Sequence, residues 1–573
     1  MVTARLDDDL ATYLRAEVVS IAMLLGAETT YVLPWAQRSY AWRDESVRRL
    51  ISDLLRAFRS SDYRYVLGDL KTAGLVTDDR HCVVDGQQRL ITLSLILSHL
   101  RDLMPPSATR DRVTACLSRM ADGTAPDDIR PVLEIQSHLL AVYQAQVLDD
   151  VGSDTARDMT LHRLSEPGAR IVMNRQVIAS TLKEAGIGPA DVETFAGFIL
   201  DRCLVVIQSV DCEQEALTLL ATKEETALPF EAGDCAKVTL ISLIEPDAQG
   251  RAGVLWDEAF GLLGAEQFAR LLQAIRIQAV GASWDGRGTT PVETDLARQF
   301  RFDQAGCDFL EAALGPQADL LDHVLRAQGL SASQDKPPSW DASVVRSLQG
   351  LGWLDNDHWL APALSWLRWR GPDRASAPAF FKQLDRMAWM HRTAGVDPQK
   401  SSRAFAALAA EVKEVGEDAS TLPIALKYLN VPDSVVAQAR ENLDSRTFYY
   451  KSHSHLVLRR LSRALGRDPG VKDGVGVTGE HVLPRNPKEG SGWLKDFGDM
   501  KAVTQYSDRI GNIALLTRAE NQRCANRDWP FKRDVCATSN LTLARNAAEY
   551  ERWTPDTVRE RSEKLIEIFF NDF

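Results

Sequence analysis

The sequence predicts a multidomain α+β protein with a mixed N-terminal domain, a largely helical middle and a C-terminal domain built on two strands and a helix. Three observations carry this. At 573 residues the chain exceeds one ordinary core, so two to four domains are expected, with enough burial to fold without disulfides or a structural metal. Short β-branched runs alternate with amphipathic stretches in the first 100 residues, whereas 250–440 is helical in pattern and broken at "GRGTTPVE", "SQDKPPSW" and "RGPDRASAP". From about residue 440 the charge balance reverses: 441–573 hold 22 Lys plus Arg against 19 Asp plus Glu, in a chain of net charge −12. A nucleic-acid surface is therefore expected toward the C-terminal part.

In chain order, "MVTARLDDDLATYLRAEVV" places acids where a secretion signal needs basic and then apolar residues, and no run is long enough to span a bilayer. The expectation is a cytoplasmic protein with no membrane partner. A charged amphipathic helix is predicted over about 44–59, strands at "YVLGDL" and "HCVVD", and a helix from Leu90. The β-branched "CLVVIQSV" at 203–210 reads as a strand returning to the first sheet, and "EAGDCAKVTLI" as a helix. Boundaries are set at 1–245, 246–440 and 441–573. The eight cysteines never form a C-x-x-C pair, so neither a zinc knuckle nor a disulfide framework is signalled, and Cys524 and Cys536 read as packed thiols.

The last part opens on "FYYKSHSHLVLRRLSRALG", a helix with an apolar and an Arg-rich face, with His453 and His455 read as surface or phosphate-contacting residues. "GVGVTGEHVLPR" and "RIGNIALLT" read as strands and "RAENQRCANRDW" as a helix or its opening turns. In the final helix Thr554 can cap, Pro555 suits the first turn, and Val558, Leu565 and Phe569 supply the apolar face.

Residues 480–532 gather Glu480, His481, Asn512, Asn521 and Lys532. Phosphodiester hydrolysis needs a base to take a proton from water, and a cation to stabilise charge on the phosphate. Imidazole is a usable base near neutral pH. On a strand end Glu480 and His481 point to opposite sides, and oxygen donors such as Glu480 and Asn521 suit magnesium or manganese. The bland alternative is a loop histidine with two turn-forming asparagines. Arg485, Lys488, Arg509, Arg518, Arg523, Arg527 and Arg533 surround the motif and supply phosphate attraction.

The order "EHVLPR…RIGNIALLTRAENQRCANRDWPFKR…WTPDTVRERSEKL" resembles the HNH-nuclease domain, a ββα-metal fold, at the C-terminus of GmrSD-type modification-dependent (Type IV) restriction endonucleases. The resemblance implies that His481 is the general base, Asn512 ties down the loop, Asn521 binds metal, Lys532 meets phosphate, and Glu480 takes a position where related nucleases often carry a metal-binding acid. Ile513, where the pattern has Leu, departs from it.

At the other end, Asp85 follows "CVV" directly, Gly86 allows a tight turn, Gln87 and Gln88 can each donate and accept, and Arg89 offers a planar fork suited to phosphate. If a helix begins here, its free amides add anion attraction. The alternatives are a nucleotide or phosphate pocket and a solvated strand-to-helix turn. "YVLPWAQRSYAW" adds Gln37 and Arg38, with Trp35, Tyr40 and Trp42 as aromatic surfaces for a DNA-modification pocket or, singly, as core.

These stretches resemble the N-terminal domain of the same GmrSD-type family, similar to ParB/sulfiredoxin-like folds and to phosphorothioate-sensing members. The resemblance implies a site for ATP or GTP at Asp85, Gly86, Gln87, Gln88 and Arg89 with Gln37 and Arg38 beside it, and modified double-stranded DNA as partner; it leaves homo-oligomerisation open. A third family element is half kept: Asp234 and Lys237 are present, but Thr226 and Ala227 stand where Asn and Gly belong, which bears on nucleotide turnover. The function implied is a modification-dependent DNA endonuclease of anti-phage defence. A nucleotide-regulated RNA nuclease and a catalytically silent modified-DNA sensor stay as alternatives.

Overall fold

The computed structural model describes residues 15–34, 39–60, 64–74, 80–120, 129–135, 137–150, 166–210, 232–288, 290–300, 309–330, 339–371, 375–414, 426–466 and 476–573. Trp35, Gln37, Arg38, Thr226 and Ala227 lie outside them, as does the side chain of Asp234. The chain divides into two compact units, one of residues 1–269 with 292–315 and one of 270–291 with 316–573.

In the first unit the strands are β1 (Arg15–Ser20), β2 (Thr30–Val32), β3 (Tyr65–Gly74), β4 (Arg80–Asp85), β5 (Ser118–Met120), β6 (Ile129–Pro131), β7 (Leu133–Glu134) and β8 (Cys203–Val210). Six of them form one mixed sheet in the order β1-β8-β3-β4-β2-β7, and β5 pairs with β6 separately. The returning strand expected at 203–210 is there, and its place is internal. β8 runs antiparallel to β1, with Val18 opposite Val206, and parallel to β3, with Leu70 opposite Ile207.

Helices cover the sheet through apolar faces. In Asp44–Arg59 the residues Val47, Leu50, Ile51, Leu54 and Leu55 recur at helical spacing and are buried, while Asp44 and Glu45 open the helix and Arg56 and Arg59 close it, complementing its dipole. The Gln87–Leu103 helix is buried nearly all round, from Leu90 and Ile91 to Leu97 and Leu100, so it is the central helix of this core. Each such leucine contributes roughly 1.5–3 kcal/mol by leaving water. "EAGDCAKVTLI" forms the Ala232–Ser242 helix, and a helical run over Pro246–Val280 is broken at Gly264, whose φ is 70°.

The second unit is helical up to residue 465, including Ala342–Gly352, Leu360–Arg370, Ala377–Ala394, Pro398–Glu414, Asp433–Leu443 and Ser454–Leu465. Trp359, Trp366 and Trp389 are fully buried in it. One expectation fails at the start of the last of these helices. His453 is buried, and burial pushes its imidazole down to about 4, whereas His455 is exposed as expected. Arg460, on the Arg-rich face, is also buried, its guanidinium donating to both carboxylate oxygens of Asp385 at 3.0 and 2.7 Å. Periodicity marked the charged side of this helix, but the Ala377–Ala394 helix supplies a carboxylate there and turns it inward.

Two strands follow, β9 (Val477–His481) and β10 (Ile513–Thr517), antiparallel with His481 opposite Ile513. A short helix, Arg518–Cys524, starts immediately after β10 on a capping box formed by Thr517 and Glu520. The final helix spans Pro555–Asn571 with Thr554 accepting from the Thr557 amide, as its cap signals predicted. It crosses the turn before β10 so closely that a Cβ on Gly511 would lie 2.2 Å from the Val558 carbonyl oxygen. Only glycine fits there.

Candidate functional site

The β9–β10 hairpin and the helix after it bring four of the five C-terminal motif residues onto one small frame. Asn512 closes a turn just before β10 and is fully buried. Its Oδ1 accepts from the Leu483 amide at 2.8 Å and Trp553 Nε1 at 2.9 Å, and its Nδ2 donates to the carbonyls of Leu483 at 3.0 Å and Ser507 at 2.7 Å. Every hydrogen-bonding position of the amide is used, so the side chain fixes the segment after β9 to the turn before β10.

His481 ends β9 and is held from two sides. Its Nε2 lies 3.0 Å from Asp508 Oδ1, and the Tyr449 ring meets it edge-on at 4.4 Å between centroids. With the ring proton on Nε2, donated to Asp508, the lone pair lies on Nδ1. Burial lowers the His481 pKa below the ordinary imidazole value, and the bond to Asp508 opposes that shift. The ring is therefore neutral and basic at pH 7. Arg485 donates to the same Asp508 oxygen through Nε at 2.8 Å and Nη2 at 2.6 Å, and lies over the Tyr449 and Tyr450 rings.

Glu480 points to the other side of the strand, where Lys532 Nζ reaches its Oε1 at 2.5 Å and the His481 carbonyl at 2.7 Å. Both side chains are buried, 7% and 1% exposed. Burial raises the Glu480 pKa, against the pull of Lys532. Lys532 comes from the Trp529–Thr538 helix and fastens it to the end of β9. Asn521, on the helix after β10, donates to Thr478 Oγ1 at 2.8 Å and the Gly479 carbonyl at 3.4 Å, which leaves its amide oxygen for another partner. Arg518, Arg523, Arg527 and Lys488 are exposed around this frame, whereas Arg509 is held by Asp444 and Arg533 by the Ala548 carbonyl.

Among the described residues no three His, Cys, Asp or Glu side chains group to hold a metal ion. The chemistry of the donor set still suits a hydrated hard cation, which takes few protein oxygens and keeps several waters. Asn521 offers one oxygen; Glu480 would offer a second only by exchanging its contact with Lys532. Cys524 and Cys536 are packed thiols, pushed up by burial to about 11 and 12.

In the first unit Asp85 ends β4 opposite Lys71, and Gly86 takes φ 104° at the mouth of the Gln87–Leu103 helix. A Cβ there would meet Leu70 at 2.8 Å, so the turn needs glycine for conformation and for space. Gln88 joins the two N-terminal motifs: its Oε1 accepts from the amides of Ala41 at 2.7 Å and Trp42 at 3.2 Å, and its Nε2 donates to the Ser39 carbonyl at 3.1 Å. Arg89 Nη1 donates to the Asp69 carbonyl at 2.6 Å, with the guanidinium 3.4 Å from where a Cβ on Gly68 would lie. Here the β3 register is irregular, between Val66 and Asp69 against β8. Gln87 is buried. Tyr40 is 1% exposed, its hydroxyl bonded to Thr92 at 2.8 Å and Asn174 at 3.0 Å, and Trp42 packs partly buried on the same core.

Sequence reasoning missed Asp508 and Tyr449, because neither belongs to a motif and only folding brings them to His481. It also missed Asp257, whose carboxylate bridges Lys237 Nζ at 2.7 Å and Ser39 Oγ at 2.5 Å. The half-kept third element thus reaches the first motif through a residue from a different helix.

An imidazole at a strand end, a facing strand pinned by a buried asparagine, and a following helix that carries an amide side chain make up a ββα arrangement. The C-terminal domain model of the GmrSD restriction endonucleases matches residues 433–568 and the N-terminal domain model matches 21–216. The chain belongs to this GmrSD-type, modification-dependent restriction endonuclease family and carries its HNH-type nuclease module. No curated protein matches the chain. Family membership implies metal- and nucleotide-dependent activity. Among the described residues no helix is long and apolar enough to cross a membrane.

Proposed function

We propose that the protein is a modification-dependent DNA endonuclease in which nucleotide bound near Asp85–Arg89 gates phosphodiester hydrolysis at the C-terminal hairpin. The observation that carries the reading is the His481 ring, kept neutral by burial and fixed by Asp508 with Nδ1 left to accept a proton. Water placed at Nδ1 gives its proton to that nitrogen as its oxygen bonds phosphorus and the P–O bond to the leaving sugar oxygen breaks, the released alkoxide taking a proton from solvent. Magnesium or manganese would be held by the Asn521 amide oxygen, with Glu480 joining only where it gives up Lys532, and would supply charge stabilisation to the phosphate and the leaving oxygen. Asn512 and the Glu480–Lys532 pair hold the frame, and exposed Arg518, Arg523, Arg527 and Lys488 attract the DNA backbone.

At the N-terminal site Asp85 and Arg89 flank the helix mouth, where free amides and a guanidinium favour a triphosphate of ATP or GTP. Gln88 sets the 39–42 segment against that site. The division at 245 and 440 then separates sensing, transmitting and cutting parts. The test is cleavage of otherwise identical unmodified, phosphorothioated and glucosylated duplexes and of RNA, with magnesium, with and without ATP or GTP. Preferred cutting of one modified duplex supports the proposal; efficient cutting of RNA alone overturns it.

A further inference from the structure

The turn that precedes the hairpin in sequence carries aromatic side chains up to His481. Phe448, Tyr449 and Tyr450 form a single 3-10 turn whose first ring is buried, whose second is half-buried and whose third is 66% exposed. Tyr450 is thus the most exposed aromatic ring among the described residues. Tyr449 connects it to the site: its ring centroid lies 6.5 Å from that of Tyr450 and 4.4 Å from that of His481, and its hydroxyl donates to the Gly479 carbonyl of β9 at 3.5 Å.

A lone exposed aromatic is ordinary; this one has a cation fixed against it. The Arg485 guanidinium stands 4.5 Å from the Tyr450 ring centroid and 5.2 Å from that of Tyr449, and its Nε and Nη2 both donate to Asp508 Oδ1. The same Asp508 accepts the Tyr449 amide on its main-chain carbonyl at 3.1 Å and bonds His481 Nε2 through its side chain. One residue therefore sets the spacing of ring, guanidinium and imidazole. Its pairing with Arg485 also offsets a carboxylate charge that alone would repel a phosphate. Arg446 and His455 are exposed in the flanking chain, the His455 ring 6.3 Å from that of Tyr449.

We propose that Tyr450, with Arg485 against it, stacks on an unpaired base next to the cleaved phosphodiester, so that the C-terminal site takes DNA with an unstacked nucleotide beside the cut. The proposal rests on the reading of His481 as the hydrolytic base. A held aromatic ring offers a stacking face to any base, whatever the sequence, and a guanidinium plane offers a second. Within an intact duplex each base already has neighbours on both faces. The contact is therefore open only to a bulged, gapped or extruded nucleotide. Arg485 becomes a positioning residue, committed to Asp508 and the tyrosines, in place of the loose phosphate attractor that its place in the sequence suggests.

The test is fluorescence anisotropy of the full chain, with EDTA in place of metal so that nothing is cut, on a labelled duplex with a single-nucleotide bulge and on its fully paired counterpart. Wild type is expected to bind the bulged duplex more tightly. Tyr450→Ala should lose about tenfold in affinity for the bulged duplex and less than twofold for the paired one, while Tyr450→Phe, which keeps the ring, binds as wild type. The phenylalanine variant also shows that the alanine effect is not misfolding. Equal affinity of wild type for both duplexes, an equal loss on both in Tyr450→Ala, or a phenylalanine variant as weak as the alanine one overturns the proposal. Because binding is read without metal, failure of His481 as the base is seen separately, as unchanged cleavage by His481→Ala once magnesium is added.

Discussion

The two motif-bearing regions both put polar residues at a strand end, but they use them differently. At β4, Gln88 and Arg89 are bonded to the protein's own backbone, so the motif first organises neighbouring segments and then presents what remains. At β9 the tasks are divided among residues. Asn512 and the Glu480–Lys532 pair brace the frame, while His481 is held through Nε2 and Asn521 through its Nδ2. A motif match alone cannot separate bracing from chemistry; hydrogen-bond saturation does.

The sharpest way to break this comparison is His481→Ala. Loss of a general base is expected to lower plasmid cleavage by about 10²–10⁴-fold while leaving DNA affinity nearly intact. An unchanged cleavage rate at equal occupancy would remove His481 from the reaction.

Next in size is the brace. Lys532→Met strands a buried carboxylate and should cost about 3–5 kcal/mol of unfolding free energy, whereas the Glu480→Gln/Lys532→Met double variant recovers much of that loss. Urea titration of both variants decides it; if Lys532 served only to meet phosphate, the single variant would melt like wild type. Asn512→Ala is expected to lose stability and cleavage together, since it opens four hydrogen bonds in a buried turn.

At the other site, Gln88→Ala should weaken triphosphate affinity on the order of tenfold by releasing residues 39–42, an effect of about 1.4 kcal/mol. Calorimetry with ATP and GTP would show it, and wild-type affinity would mean that Gln88 does not position the pocket.

A smaller effect concerns pH. Burial holds both His391 and His453 at about 4, below the ordinary 6.5, with His358 also lowering His391. Their neutral forms are favoured in the folded state, so their contribution to stability is full above pH 6.5 and lost as pH falls from there toward 4. Urea midpoints measured across that window should decline, and His453→Gln should flatten the slope. The smallest change is electrostatic: Arg523→Ala should reduce the dependence of log affinity on log salt by about one, without changing which duplex is preferred.

Much of the architecture was legible because it rests on periodicity and end signals. The Asp44–Arg59 helix, β4, the internal β8 and the capped final helix all follow from apolar spacing, β-branched runs and Thr554-Pro555. What escaped was set by tertiary pairing. His453 reads as a surface or phosphate-contacting residue, and the Arg-rich face gives no sign of a buried pair at Arg460, because nothing near them in sequence tells of the packing over the imidazole or of Asp385. Tyr40 carries the same ambiguity, since an aromatic beside Arg can stack on a base or fill a core, and only its bonds to Thr92 and Asn174 show what holds it. Asp508 was invisible for the opposite reason: it stands outside every motif and gains its position only when the turn before β10 closes.

The internal position of β8 also has a consequence for biosynthesis. β1 has no partner in the main sheet other than β8, and β3 leaves an edge open until β8 arrives. A ribosome must therefore deliver residue 210 before the N-terminal sheet can close, and the growing chain carries exposed β1 and β3 edges until then. His481 emerges long afterwards. Translation order alone gives the cell a finished N-terminal sheet before it has the β9–β10 hairpin, so a truncated product would hold the first sheet without the second.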